Sequence, residues 1–237
     1  MFGLGTIVNT IAIIVSGWLG TRFARHIKAS YQESVLVAAG VALFFLSTSG
    51  AMAGLLSLHN GQLTSGQTYL TIFCLCMGTL IGEVLNIERS ILALGDWLRS
   101  KSGNSGDPLF MEAFVTATLT VCIGAMAVVG SIQDGLLGDA TILITKSVLD
   151  FIIILIMASS LGKGCTYAAV PVFLFQGSLT LLAGFLRPFM TPLAIANLSL
   201  IGSMLIFCIS LNLLFDRKIR VANMLPALLL AVVAAFI

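Results

Sequence analysis

The stretch Gly130–Asp150 reads GSIQDGLLGDATILITKSVLD. It places Asp134, Asp139, Lys146 and Asp150 between long runs that carry almost no charge. Outward from it, the 237 residues are 58% hydrophobic and only 9% charged. Soluble domains carry about 25% charged residues. A chain of this length cannot hide so much apolar side chain from water, so its solvent is lipid.

Eight apolar spans are expected, each near the ~20 residues that a bilayer requires. Their approximate limits are 3–20, 34–57, 68–87, 111–130, 140–160, 165–186, 193–215 and 221–237. Backbone groups in lipid must bond within their own segment, so the spans are helices. The expected fold is all-α: one transmembrane helix bundle over residues 1–237. The polar, Gly- and Ser-rich stretch RSKSGNSGDP lies in a connection at about 88–110, expected to be a flexible cytoplasmic loop.

Basic residues set the orientation. Arg22, Arg25 and Lys28 follow span 1; Arg89, Arg99 and Lys101 follow span 3. Lys163 follows span 5, and Arg217, Lys218 and Arg220 follow span 7. The opposite loops carry only Arg187. This bias predicts that both termini lie outside, in the periplasm or its equivalent. The N-terminal apolar run has basic residues after it and none before, so it reads as a retained first helix, not a cleaved signal.

Cys74, Cys76, Cys122, Cys165 and Cys208 lie in or beside apolar runs and read as small packing residues. His26 and His59 fall in expected loops. Neither set has metal-ligand spacing, and no cofactor is expected. With no Ser-His pair and no paired carboxylates within one span, an intramembrane enzyme is the weakest reading.

Lys146 and Asp150 are four residues apart and share a helix face. A charge at that depth costs roughly 2.5–3.5 kcal/mol on insertion scales, so such residues face a cavity or the bundle interior. Asp139 either caps span 5 or serves a function; Asp134 would join it in an acidic outer mouth. Glu83, near the inner end of span 3, either reaches the headgroups or takes part in a site. The amides of Asn9, Gln176, Asn197, Asn212 and Asn223 can hold helices together or offer oxygens to a cation. Pro171 and Pro226 fall inside spans, where each either breaks the helix or only kinks it to shape the bundle. GAMAG at 50–54 and GAMAVVG at 124–130 form a faint internal echo, read as small residues at helix contacts.

The motifs DGLLGDATILITKSVLDF and VANMLPALLLA resemble the bacterial YqgA/YdfK-type integral membrane proteins, a family of unknown function. The resemblance covers nearly the whole chain. It singles out Asp134, Gly135, Gly138, Asp139, Lys146, Ser147, Asp150, Asn223 and Pro226. It implies a cytoplasmic-membrane protein of transporter-like character and no particular chemistry.

The leading expectation is a secondary transporter or ion-conducting protein for a small cation or a cation-coupled solute. Its candidate site is Asp134, Asp139, Lys146, Ser147, Asp150, Glu83, Asn212 and Asn223. Asp150 would bind the ion or proton, with Lys146 as its internal counter-ion. The alternative is a non-transporting helper or sensor subunit with a structural ion pair. Expected partners are the bilayer, a small cation or proton, and, as an open option, further copies of the chain; nucleic acid is not expected.

Overall fold

A computed structural model describes residues 3–24, 29–59, 62–104, 106–123, 125–215 and 219–236. Arg25, His26, Lys28, Arg217, Lys218 and Ile237, which enter the expectations above, lie outside the described residues. The chain folds as helices α1 (Leu4–Ala24), α2 (Ala29–Leu55), α3 (Thr68–Leu85), α4 (Ile87–Lys101), α5 (Phe110–Cys122) and α6 (Ala125–Leu137). There follow α7 (Thr141–Leu161), α8 (Ala169–Leu181), α9 (Ala183–Leu186), α10 (Pro192–Phe215) and α11 (Pro226–Val233).

Among the described residues, six helical segments are long and apolar enough to cross a bilayer, and α5 with α6, bent by 61°, counts as a seventh if the pair is one broken span. The last expected span is the shorter apolar segment Val221–Phe236. Side chains such as Tyr69 and Val84 are 90% and 87% exposed. Exposed apolar surface of this extent fits lipid, not water.

Four expectations need correction. The connection at about 88–110 is not a loop throughout, because Ile87–Lys101 forms α4. Leu94 and Leu98 of α4 lie one turn apart and pack with Phe110 and Phe114, the stripe of an amphipathic helix. Second, His59 lies in a short hairpin, where β1 (Leu56–His59) pairs antiparallel with β2 (Gln62–Ser65) from Leu56↔Ser65 to His59↔Gln62. Third, span 4 does not end near 130. It breaks between Cys122 and Ala125, and α6 then runs to Leu137, carrying Asp134 inside the helix. Gly138, at φ +65°, ends α6 and donates its amide to the Asp134 carbonyl at 3.1 Å, a left-handed stop that glycine adopts without strain. Fourth, Pro171 and Pro226 do not break α-helices. Each sits in the first turn of one, after a 3-10 segment at Lys163–Ala168 and Val221–Met224 respectively.

The chain divides into two compact units, one of residues 1–39, 90–122 and 126–187, the other of 40–89, 123–125 and 188–237. In the first, α1 lies along α7 and also touches α8. A Cβ at Gly5 would stand 2.6 Å from Leu143 Cβ, and one at Gly20 would stand 2.8 Å from Ala158 Cβ. Early meets early and late meets late, so α1 and α7 are parallel. Thr6 meets Thr180 while Asn9 meets Gln176, so α1 and α8 are antiparallel. That alternation is what spans 1, 5 and 6 require. Small residues permit this approach, which replaces hydrophobic drive inside lipid. Ile13, Ala113, Ala117, Ile154, Met157 and Val172 form the apolar core of this unit.

In the second unit, Gly40 of α2 faces Leu214 while Gly54 faces Leu200, so α2 and α10 are antiparallel. The α3 glycines Gly78 and Gly82 face Ala227 and Asn223, so α3 and α11 are antiparallel too. A Cβ on Gly82 would overlap the Asn223 carbonyl. The internal echo does not persist here. Residues 50–54 lie within α2, whereas 124–130 starts at the break before α6.

Candidate functional site

The first unit buries a polar network that begins at Lys146 and Asp150 of α7. The side chains lie 2.5 Å apart, nitrogen to oxygen, and the residues are 6% and 4% exposed. The i, i+4 geometry is that expected from the sequence. Lys146 Nζ also donates to the Val121 carbonyl at 2.7 Å. Val121 stands in the last turn of α5, where the break before α6 leaves carbonyls without intrahelical donors. The negative end of a helix dipole favours a cation there.

Two amides complete the network. Asn9 of α1 donates Nδ2 to Asp150 Oδ2 at 3.0 Å and to Gln176 Oε1 of α8 at 3.3 Å. Both residues are fully buried. Asn9 Oδ1 and Gln176 Nε2 have no hydrogen-bond partner among the described residues. One turn nearer the start of α1, the Thr6 and Thr180 hydroxyls lie 3.3 Å apart.

Asp134 is placed by α6 against the start of α1. Its Oδ2 accepts the Gly5 amide at 2.9 Å, and its Oδ1 is buried without a partner among the described residues. Gly5 N–H is one of the donors that a helix start leaves over, and the positive end of the dipole favours a carboxylate. Asp139 is separate. It is exposed in the turn before α7 and accepts the Thr141 amide at 3.0 Å. Hydrogen bonds from the Thr141 hydroxyl and then its amide hold Asp139 below the ordinary carboxylate range. Asp134 and Asp139 therefore do not line one exposed mouth. Ser147 bonds back to the Leu143 carbonyl at 2.7 Å within α7.

The remaining candidates lie in the second unit. Asn212 Nδ2 donates to the Ile219 carbonyl at 2.9 Å and its Oδ1 accepts the Ile219 amide at 3.0 Å, which fixes the chain after α10. Asn223 Oδ1 accepts the Glu88 amide at 2.7 Å, in the first turn of α4. Glu83 meets Arg220 at 3.2 Å, and Glu88 meets the same guanidinium at 3.4 Å. Arg220 and Glu83 are largely exposed, and exposed pairs contribute little.

The sequence reading placed Asn9 and Gln176 among general amides, and it did not single out Thr6, Thr180, Glu88 or the Val121 carbonyl. Its one available signal for the break was the glycine at 124, a costly residue inside a helix. At one end of the first unit, Trp18, Arg22, Asp107, Gly162 and Lys163 line a pocket of about 280 Å³. The ends of α1 and α7 thus meet the turn before α5, as basic loops on one side require.

The fold and its embedded charges define a polytopic α-helical membrane protein. The chain belongs to the family described as "Protein of unknown function (DUF554)", whose model matches residues 4–236. It is 32% identical over 233 residues to the "Uncharacterized membrane protein YdfK" of Bacillus subtilis (strain 168), covering 98% of this chain and 96% of that one. It is 27% identical over 232 residues to the "Uncharacterized protein YqgA" of Escherichia coli (strain K12), covering 96% and 94%. No solved structure matches the chain.

Proposed function

We propose that the chain is a secondary transporter or ion-conducting protein for a small cation or a cation-coupled solute. In this reading Asp150 is the ion-binding carboxylate and Lys146 its internal counter-ion. The supporting observation is the convergence of Asp150, Lys146, Asn9 and the free carbonyl end of α5, with two amide atoms left unpaired. Broken helices that turn carbonyl ends toward an ionic site recur in secondary transporters. A pair serving packing alone has no use for buried amides with unmet bonding capacity, each of which costs stability. The protein would sit in a bacterial inner membrane with both termini outside.

One observation favours a second reading, a non-transporting helper subunit. The pair is closed, buried and matched to a helix end, so it can serve as a static lock. The experiment is the double variant Lys146→Met with Asp150→Leu, beside each single change. Breaking a buried pair from one side costs roughly 3–5 kcal/mol, so either single variant should unfold at lower temperature in detergent. The double variant should regain stability. A transport role predicts that cation or proton flux in liposomes stays lost. Recovered flux with recovered stability would overturn the role given to the pair.

A further inference from the structure

We infer that the coupling ion is a proton, and that it reaches Asp150 from Asp134 along a hydrated polar track on the Gly5–Thr6–Asn9 face of α1. The inference rests on the transport reading above and names its ion and its route.

The track follows from the order of contacts. Asp134 holds the Gly5 amide, and Thr6 faces Thr180. Asn9 joins Gln176 to Asp150, which holds Lys146. Gly5 and Asn9 are four residues apart, about 6 Å along a helix axis. On α8, Gln176 and Thr180 are also one turn apart, so two polar rungs link α1 to α8 between the two carboxylates. All six side chains of these rungs and carboxylates are buried.

Three of their atoms have no partner among the described residues: Asp134 Oδ1, Asn9 Oδ1 and Gln176 Nε2. Two are acceptors and one is a donor. Water satisfies both kinds, and buried waters occupy such sites with about three hydrogen bonds each. Unpaired atoms at both ends of a row of hydroxyls are what a water-linked proton path needs. One turn further on, Ile13, Ile154 and Met157 belong to a buried apolar cluster.

The chemistry of the pair selects the proton. The Lys146 ammonium already occupies the position between Asp150 and the Val121 carbonyl where a metal cation would bind. A proton does not need that position. Arriving at Asp150, it forms an O–H bond, neutralises the carboxylate and releases the ion pair. Lys146 keeps its charge and its bond to the Val121 carbonyl. Loss of the same proton restores the carboxylate and closes the pair. Besides its own members, the titratable group facing the pair among the described residues is Cys122 of α5. The contacting residues of α1 and α8 are amides and hydroxyls, and α6 supplies Asp134.

The test has two independent parts. Water-edited solid-state NMR in liposomes reads water contact at the Asn9 and Gln176 side-chain amides, with Asn197, bonded to the Ala231 carbonyl in the other unit, as the dry control. Rapid transfer of water magnetisation to Asn9 and Gln176, and slow transfer to Asn197, is expected. Equal, slow transfer at all three overturns the track, whatever the protein transports. The second part uses a pH-sensitive dye trapped in liposomes under an imposed potential. Asp134→Asn keeps an acceptor for the Gly5 amide but cannot take up a proton. It should slow proton flux about a hundredfold, the scale of a lost proton-transfer group, with thermal stability unchanged. If Asp134→Asn conducts normally while the Lys146/Asp150 double variant does not, the transport reading stands and the route is overturned. If the parent moves another cation but no protons, the proton assignment is overturned. If the double variant conducts like the parent, the role given to Lys146 and Asp150 fails, and the route to Asp150 fails with it.

Discussion

Asn9 and Gln176 meet across one hydrogen bond, yet their removal should have unequal consequences. Asn9 donates to a carboxylate as well as to Gln176. Asn9→Leu therefore removes a charge-assisted bond and leaves Gln176 Oε1 without its donor. Bonds to charged groups contribute about 1.5–3 kcal/mol in water. Interhelical bonds in membranes average nearer 0.6 kcal/mol, because unfolded helices find other partners. The carboxylate bond dominates, and a net cost of about 2 kcal/mol follows. For a chain of this size that lowers the unfolding temperature by about 4–8 °C. Gln176→Leu removes the neutral bond but also deletes Nε2, which has no protein partner. Loss and relief nearly cancel, so stability should stay within about 1 kcal/mol of the parent. Thermal unfolding in one detergent, with the double variant added, measures both effects and their coupling. Equal destabilisation by Asn9→Leu and Gln176→Leu would refute the claim that Asp150 governs this layer.

The other predictions concern the ends of the helices. Asp139→Asn should leave α7 intact because Asn accepts the Thr141 amide almost as well, while Asp139→Ala should speed hydrogen exchange at Thr141. The folded state holds the Asp139 carboxyl below its ordinary value. Its contribution is therefore fully present above about pH 4, the unfolded value, and is lost as pH falls through the folded one. Thr141 exchange, corrected for its intrinsic pH dependence, should lose protection only in that acid range. Reporter fusions at Ile237 should give an external signal, from the bias of basic loop residues; a cytoplasmic signal would reverse the assigned orientation.

What the sequence disclosed follows from the range of each force. Span length and loop charge are local or nearly so, which is why the helices fall close to their expected places. The Lys146–Asp150 contact was legible because i, i+4 spacing brings the side chains together without reference to any other helix. The contacts that join Asn9 to Asp150 and Asp134 to Gly5 span 141 and 129 residues. No local pattern records them. The Val121 carbonyl is a backbone atom with no residue signature at all, and it becomes available only through the helix break after Cys122. Proline marks no helix break here either. Both span prolines fall in first turns, where a missing N–H costs nothing.

The two charged positions are less demanding than their depth suggests. Lys146 meets the carbonyl end of α5, and Asp134 meets the amide start of α1. Each charge lies at the helix terminus of opposite sign, so a static fold can keep both without a ligand. The charges alone therefore do not separate a transporter from a structural subunit. The proposed transport role rests instead on the amide layer. Gln176 Nε2 has no partner among the described residues, and a leucine there would fill the same space without that penalty. Asn9 keeps its bond to Asp150 in either account; a purely structural account has to explain why its neighbour Gln176 is not a leucine. A transport account uses both side chains, since the carboxylate they flank must change partners, and an incomplete hydrogen-bond shell lowers the barrier to that exchange.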